Sequence, residues 1–274
     1  MAQLLNRHGL VDTRGPKRGY CNICDTFGLL TEDHVPPKGV LKAPQASLLH
    51  IIELLGAERP IGKKKRRHMQ SGVYFRSLCT NCNSNLLGAK YDPALIDFSN
   101  ALTSFLTSSI AVPKITAVPM IPGAVARSVL GHLFAVGIER RERSLLMSKA
   151  VEYFLDDTLP MPDGLEVYCW IYPYQRRIAA RDCALLPDFF NSPPICFWLL
   201  KFFPLAFIIT WGHEHPEQID LPRLRDYMLQ SGNHSVDIRL RLKPVVRQDW
   251  PEAPDDWTAV LYGDGAVGAI PHVS

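Results

Sequence analysis

The chain has 274 residues, of which 47% are hydrophobic and 21% are charged, and its formal net charge at pH 7 is +3. This composition is typical of a soluble globular protein with one large domain or two modest ones. The first residues contain no apolar signal core followed by a small-residue cleavage site, which argues against secretion. We therefore expect a cytoplasmic protein that does not associate with a membrane.

A cysteine pair, Cys21 and Cys24, is the first distinctive feature of the chain. A C-x-x-C pair commonly occupies a tight turn, and the apolar residues after it predict a short hairpin over residues 25–35. The hairpin ends in the run Asp33-His34-Val35-Pro36-Pro37. The two prolines keep the chain extended there and prevent a helix from beginning at His34.

Residues 44–58 predict a short amphipathic helix, and an exposed basic loop follows it at residues 62–68. The cations of this loop are Lys63, Lys64, Lys65, Arg66 and Arg67. Residues 1–92 carry 14 Lys or Arg against 7 Asp or Glu, whereas residues 93–274 carry 16 against 20. A basic first third favours a polyanionic partner, so we interpret the loop as an arm that contacts phosphates. A solvated loop or a localisation patch is the alternative.

Residues 71–78 predict a strand that leads into a second cysteine pair, Cys79 and Cys82, followed at once by Asn83. The chain has seven cysteines, and the other three are isolated. An odd number with two C-x-x-C pairs fits a reducing compartment and one tetrahedral zinc site better than two disulfides. A short helix beginning near Cys82 would direct Asn83 back toward the hairpin.

Asp92 precedes Pro93, a pattern typical of a helix start, and it predicts a helix over residues 94–106. Asp92 therefore has a structural explanation. The proline-rich residues 113–122 suggest a link between two parts, an N-terminal domain over residues 1–112 and a C-terminal domain over residues 113–274.

A helix over residues 124–143 opens the second part, and His132 within it is interpreted as structural. Strands are predicted at residues 166–172, 177–186, 195–211 and 236–242. The tail from residue 244 is rich in proline and aspartate and is expected to be a loop. We predict an α+β fold in which this part contains a mainly antiparallel sheet.

Residues 195–211 form an apolar stretch of 17 residues that contains Lys201 and Pro204. A membrane-spanning helix needs about 20 apolar residues with few charges. The stretch is rich in aromatic and β-branched residues, so we predict two buried strands, or a strand and a short helix, that meet near Pro204.

The residues between and after the cysteines have the chemistry needed to hydrolyse a phosphodiester. A closed site of four cysteines leaves zinc no open position, so that zinc is structural and a catalytic metal must be separate. Asp33 offers a carboxylate oxygen and Asn83 a carbonyl oxygen, ligands that suit Mg²⁺ or Mn²⁺. His34 titrates near neutral pH and is a candidate general base for the attacking water.

Together these motifs resemble the HNH endonuclease family in the form that zinc stabilises. The resemblance rests on the two C-x-x-C pairs, Asp33-His34-Val35-Pro36-Pro37 between them, Asn83 after the last cysteine, and Gly88-x-x-Tyr91-Asp92, and it covers roughly residues 20–95. It implies a ββα-metal fold in which a hairpin and a helix hold one divalent cation. It also implies that His34 is the general base, that Asp33 and Asn83 hold the catalytic metal, and that the cysteines hold zinc.

The chain departs from the family's pattern at its middle position, usually Asn or His, which falls on Tyr74. That position braces the loop or orients the base. Arg76 lies two residues further on and is a candidate for contacting phosphate, and Asn85 is a rival to Asn83 as a metal ligand.

We expect a metal-dependent endonuclease that acts on nucleic acid, DNA rather than RNA, and that resembles restriction or anti-phage effectors. The C-terminal part would sense a signal, dock a regulatory protein or form a homo-oligomer. Two alternatives remain. One is a catalytically inactive zinc module that binds nucleic acid, and the other is an adaptor whose zinc ribbon only stabilises an interface.

Overall fold

A computed structural model describes residues 13–40, 46–50, 67–69, 73–108, 114–141, 144–186, 195–212, 221–231, 234–241, 258–261 and 266–271. Within these residues the fold is mixed α and β with antiparallel sheets, as predicted. The cations Lys63, Lys64, Lys65 and Arg66 of the predicted basic arm lie outside them, as does most of the helix predicted over residues 44–58.

A three-stranded antiparallel sheet carries the first cysteine pair and the Asp33-His34 motif. Its strands are β1 (Arg18–Tyr20), β2 (Phe27–His34) and β5 (Tyr74–Cys79), in that order. Residues 27–34 form one strand rather than the predicted hairpin, because β2 pairs with β1 on one side and with β5 on the other. A register shift between Thr31 and Glu32 marks an irregularity in the pairing with β5.

Two helices follow β5 without a break. A π-helix spans Asn81–Tyr91, and α1 spans Asp92–Leu106 with Pro93 in its first turn. The predicted short helix after Cys82 and the helix over residues 94–106 are thus confirmed. The helical segment is longer than either prediction because the two run together.

A larger antiparallel sheet is built mainly from the C-terminal half. Its strands are β3 (Ala46–His50), β4 (Arg67–Met69), β7 (Leu165–Ile171), β8 (Arg177–Leu186), β9 (Ile195–Phe202), β10 (Leu205–Trp211), β12 (Thr258–Leu261) and β13 (Ala266–Pro271). Their order is β4-β3-β13-β8-β9-β10-β7, and β12 also pairs with β8. The apolar stretch over residues 195–211 is two strands that meet at Pro204, as predicted, and both faces of the strands are buried over residues 197–202 and 205–210.

Three sequence-based expectations are wrong in this region. Residues 46–50 form a strand rather than a helix, because β3 pairs with β13 and β4. The tail contains β12 and β13, so it is not simply a loop. The proline-rich residues 115–120 are not a link but strand β6 (Ile115–Met120), which pairs with β11 (Val236–Arg241).

The helix α2 (Pro122–Ala135) lies at the centre of the molecule. Thirteen of its residues are buried, a pattern expected of a helix that is surrounded by protein on all sides. It packs against the π-helix, α1, α3 (Leu145–Leu155), α4 (Leu224–Ser231), β5 and β9. A Cβ atom at Gly131 would lie 2.7 Å from Leu87 and 2.5 Å from Phe154, so the close approach of the π-helix and α3 requires glycine there.

Hydrogen bonds from three other elements fix the C-terminal end of α2. Side chains of Asn22 and Arg181 donate to the carbonyl oxygen of Phe134, and Ser77 donates to that of Ala135 at 2.6 Å. The last carbonyl groups of a helix lack partners within the helix, so these bonds satisfy them. Asn22 lies between the first two cysteines, which ties the cysteine turn directly to α2.

The main hydrophobic cluster draws residues from both sides of residue 113, for example Leu95 and Leu130. The division into domains 1–112 and 113–274 stays a prediction. No helix in the described residues is both long enough and apolar enough to cross a membrane.

Candidate metal centre and the adjoining acid and base residues

The four cysteines of the two C-x-x-C pairs come together as predicted. The sulfur atoms of Cys21, Cys24, Cys79 and Cys82 all lie within 4.8 Å of one another. Among the described residues they are the only group of three or more Cys, His, Asp or Glu side chains placed to share a metal ion.

Local structure around the first pair directs both sulfur atoms inward. Asp25 adopts a positive φ of 58°, and its backbone N–H donates to the carbonyl of Cys21, which closes the turn. The backbone N–H of Ile23 donates to Cys21 Sγ at 3.4 Å. The second pair is presented by the end of β5 and the first turn of the π-helix, so strand, turn and helix each contribute.

The spacing of the sulfur atoms fits a tetrahedral ion. A Zn–S bond of about 2.3 Å in a tetrahedron places sulfur atoms about 3.8 Å apart. The Cys24 and Cys79 sulfur atoms are 3.7 Å apart. A hydrogen bond with Cys82 lowers the pKa of Cys21 to about 5 and raises the pKa of Cys82, so one thiolate is already favoured. The cluster can hold a metal ion such as zinc.

Replacing Cys79 by serine is expected to abolish metal binding and to lower the melting temperature, because metal binding contributes folding free energy to small metal-stabilised regions. Metal content by mass spectrometry and a thermal melt measure the two effects. Cys196→Ser is the matched control, since Cys196 is exposed and outside the cluster. Equal metal content in the Cys79→Ser variant and the control would contradict the assignment.

Asp33 is buried and bound to a histidine from the centre of the molecule. Its Oδ2 atom accepts a hydrogen bond from His132 Nδ1 at 2.9 Å, and its side chain is 5% exposed. His132 Nε2 donates to Asp92 Oδ1 at 3.0 Å, and Ser128 Oγ donates to the same oxygen at 2.7 Å. We call Asp33, His132, Asp92 and Ser128 the buried acid–histidine chain.

Electrostatics favour a charged imidazolium within this chain. Burial opposes the charge on His132, but the carboxylates of Asp33 and Asp92 outweigh it and raise the pKa of His132 to about 10. Burial also raises the pKa of Asp33, and the charge of His132 acts against that rise. His132, interpreted from the sequence as structural, therefore directly contacts a predicted metal ligand, and Asp92 contacts that ligand only through His132.

Asn83 points back toward β2, as expected. Its Nδ2 atom donates to Thr31 Oγ1 at 2.8 Å and to the carbonyl oxygen of Glu32 at 3.1 Å, next to Asp33 in the chain. Asn85 instead donates to Asn81 within the π-helix. Of the two rivals, Asn83 is the one that contacts the strand of Asp33 and His34.

His34 is half-buried at the end of β2. Its Nε2 atom is buried and has no hydrogen-bond partner among the described residues. Burial lowers the pKa of His34, with Asp33 opposing and Lys38 adding to this effect, so the neutral imidazole is favoured. A neutral imidazole with an unpaired ring nitrogen can accept a proton.

Tyr74 lies directly opposite His34 in the pairing of β2 with β5. The two ring centroids are 5.7 Å apart and tilted by 50°, and the Tyr74 hydroxyl accepts a hydrogen bond from Arg14 at 3.2 Å. Tyr74 thus packs against His34 through its ring rather than through a hydrogen bond.

The residues predicted to bind phosphate are only partly described. Arg76 forms an ion pair with Glu32 and also donates to the carbonyl oxygen of Gly15. Arg67 lies in β4. Contact of either residue with phosphate stays a prediction.

The chain matches no known family model, no curated protein and no solved structure.

Proposed function

We propose that this protein is a metal-dependent endonuclease of the HNH type, acting on nucleic acid and on DNA in preference to RNA. One observation carries the proposal. Each of the three candidate residues keeps an acceptor atom without a hydrogen bond to a described residue, and hydrogen bonds hold the other side-chain polar atom of Asp33 and of Asn83. These atoms are Asp33 Oδ1, Asn83 Oδ1 and His34 Nε2.

Asp33 and Asn83 are the proposed ligands of a Mg²⁺ or Mn²⁺ ion. The bonds from His132 to Asp33 Oδ2 and from Asn83 Nδ2 to the β2 backbone leave one oxygen on each side chain for the ion. Carboxylate and amide oxygens are the ligands that these ions prefer. The ion, when bound, supplies charge that stabilises the phosphate oxygens during hydrolysis.

His34 is the proposed general base. A ring nitrogen of its half-buried imidazole would take a proton from the attacking water, and the ring of Tyr74 packs beside it. Tyr74 thereby fills the orienting role of the family's middle position by packing rather than by hydrogen bonding. The cysteine cluster, carrying zinc, acts only as scaffold in this proposal.

His132 is the proposed positioning residue for Asp33. A metal-binding group is commonly held by a further hydrogen bond that orients it, and the buried acid–histidine chain supplies that bond from α2. A role in restriction or anti-phage defence rests on the resemblance alone.

The inactive zinc module remains a second candidate, and the burial of Asp33 favours it. A carboxylate that is 5% exposed and bound to an imidazolium is also what a purely structural ion pair looks like. Binding of nucleic acid without cleavage under any divalent metal would select this alternative.

A nicking assay on supercoiled plasmid tests the function, with Mg²⁺, Mn²⁺ or added EDTA. We expect cutting that depends on the divalent metal, and a fall of at least about tenfold for Asn83→Ala because a metal ligand is lost. Asn85→Ala, on the same helix, is the matched control and is expected to cut normally. Equal loss in both variants would remove Asn83 from the proposed metal site.

A further inference from the structure

A patch of exposed apolar side chains lies on the sheet that carries the cysteine turn. Tyr20 is 43% exposed, Phe27 56% and Leu29 63%. In the pairing of β1 with β2, Tyr20 lies directly opposite Phe27, and Arg18 lies directly opposite Leu29. Directly opposed residues project from the same face of a sheet, so these four side chains form one surface, which we call the aromatic–arginine face.

Arginine side chains border the two rings. The Arg141 guanidinium lies 4.2 Å from the centroid of Tyr20, and that of Arg18 lies 5.9 Å from the centroid of Phe27. The rings themselves meet edge to face, with centroids 5.1 Å apart. This contact holds both rings in defined orientations while about half of each stays exposed.

The charge around the face is positive. The cations that contact the rings are Arg18 and Arg141, Lys17 adjoins Arg18 in the chain, and Asp25, two residues before Phe27, lies 3.3 Å from Arg141. Such a balance attracts a polyanion and opposes the approach of a second copy of the same face. Exposed aromatic rings beside cations are the pattern by which proteins bind single-stranded nucleic acid, since bases stack on the rings and the phosphates meet the cations.

We propose that the aromatic–arginine face binds an unpaired stretch of the nucleic-acid substrate, with bases stacked on Tyr20 and Phe27. The inference rests on the proposed function for its choice of nucleic acid as the ligand. Phe27 begins β2 and His34 ends it, a separation of about 24 Å along a strand at 3.4 Å per residue. The substrate is therefore single-stranded or locally opened several nucleotides from the bond that is cut.

Binding of a labelled 12-nucleotide poly-dT strand by the full-length protein tests the inference, measured by fluorescence anisotropy without added divalent metal. Replacing both rings in Tyr20→Ala/Phe27→Ala is expected to weaken binding at least about fivefold, the lower end for loss of one base stack. Tyr20→Phe keeps a ring and is expected to bind normally. Leu145→Ala is the control for removal of an exposed apolar side chain elsewhere, because Leu145 is 77% exposed.

The outcomes separate this inference from the proposed function. Ring-dependent binding supports it whether or not plasmid is cut, because cleavage plays no part in the measurement. Unchanged affinity in the double variant overturns it even if the wild-type protein cuts DNA. A dimer in sedimentation experiments that the double variant loses, with unchanged affinity for the strand, would instead make the face a contact between copies of the chain.

Discussion

Replacing His34 by alanine is expected to lower the rate of metal-dependent plasmid cutting by about 10²- to 10⁴-fold, the range that a positioned general base contributes. The reason is local. His34 is half-buried, and its Nε2 makes no hydrogen bond to a described residue that would stabilise the fold. Cleavage rates at saturating Mg²⁺ or Mn²⁺, compared with the wild-type protein, measure the effect.

Two controls decide whether the slower cutting by His34→Ala reflects a lost catalytic group or a lost fold. His234→Ala removes an exposed histidine elsewhere and should cut at the wild-type rate. A thermal melt of His34→Ala should stay close to that of the wild-type protein, because the loss is mainly the packing of one ring against Tyr74. Undiminished cutting by a folded His34→Ala protein would remove His34 from the mechanism.

The cysteine cluster was predictable because its signal is local. Two C-x-x-C pairs need only a turn at each pair and one close approach between β2 and β5, and the sequence contains both strands. The paired strands around Pro204 were predictable for a similar reason, since they adjoin in sequence and pair with each other. Local patterns carry enough information where the interacting segments adjoin in sequence or share a motif.

The strand Ala46–His50 could not be predicted in the same way. Its residues have the periodicity of an amphipathic helix, but they pair with Ala266–Pro271, more than 200 residues away. Strand formation depends strongly on the neighbouring strands, so partners at such a distance override local preference. The basic arm that follows falls mostly outside the described residues, and its role stays a prediction.

The contacts of His132 could not be predicted from the sequence, because its hydrogen-bond partners are far from it in the chain. Its partners Asp33 and Asp92 lie 99 and 40 residues away, and Asp92 already had an explanation as a helix-starting residue. One signal was present: α2 is apolar almost throughout, and Arg127, Ser128 and His132 are its polar exceptions. A charged or polar residue in a fully buried helix needs a partner, so such exceptions point to contacts that the sequence alone does not identify.

These contacts change how the candidate site is understood. The sequence suggested a self-contained N-terminal motif with a separate second part. Asp33 is instead held by α2, and the end of α2 is in turn held by Asn22, Ser77 and Arg181. Arg181 belongs to strand β8 of the large sheet and bonds to the end of α2, and His132 of α2 bonds to Asp33. The large sheet is therefore linked to Asp33 through α2.

Replacing His132 by alanine is expected to destabilise the protein by about 3–5 kcal/mol, the range seen when one partner of a buried ion pair is removed. The carboxylates of Asp33 and Asp92 would then lie in the interior without the imidazolium between them. Urea unfolding followed by circular dichroism measures the change. Ser128→Ala, which removes one hydrogen bond to Asp92, should cost only about 1 kcal/mol.

Two tests show why the His132→Ala variant loses stability: neutralising the two carboxylates, and measuring stability as a function of pH. Adding Asp33→Asn and Asp92→Asn to His132→Ala should restore part of the lost stability, because no uncompensated charge then remains buried. The pKa of His132 is raised to about 10, so its charge stabilises the fold fully below about pH 6.5 and this contribution is lost as pH rises through 10. The difference between the wild-type protein and His132→Ala should therefore shrink over that range. A difference that stays constant from pH 6.5 to 10 would show that lost packing, rather than lost charge, destabilises the variant.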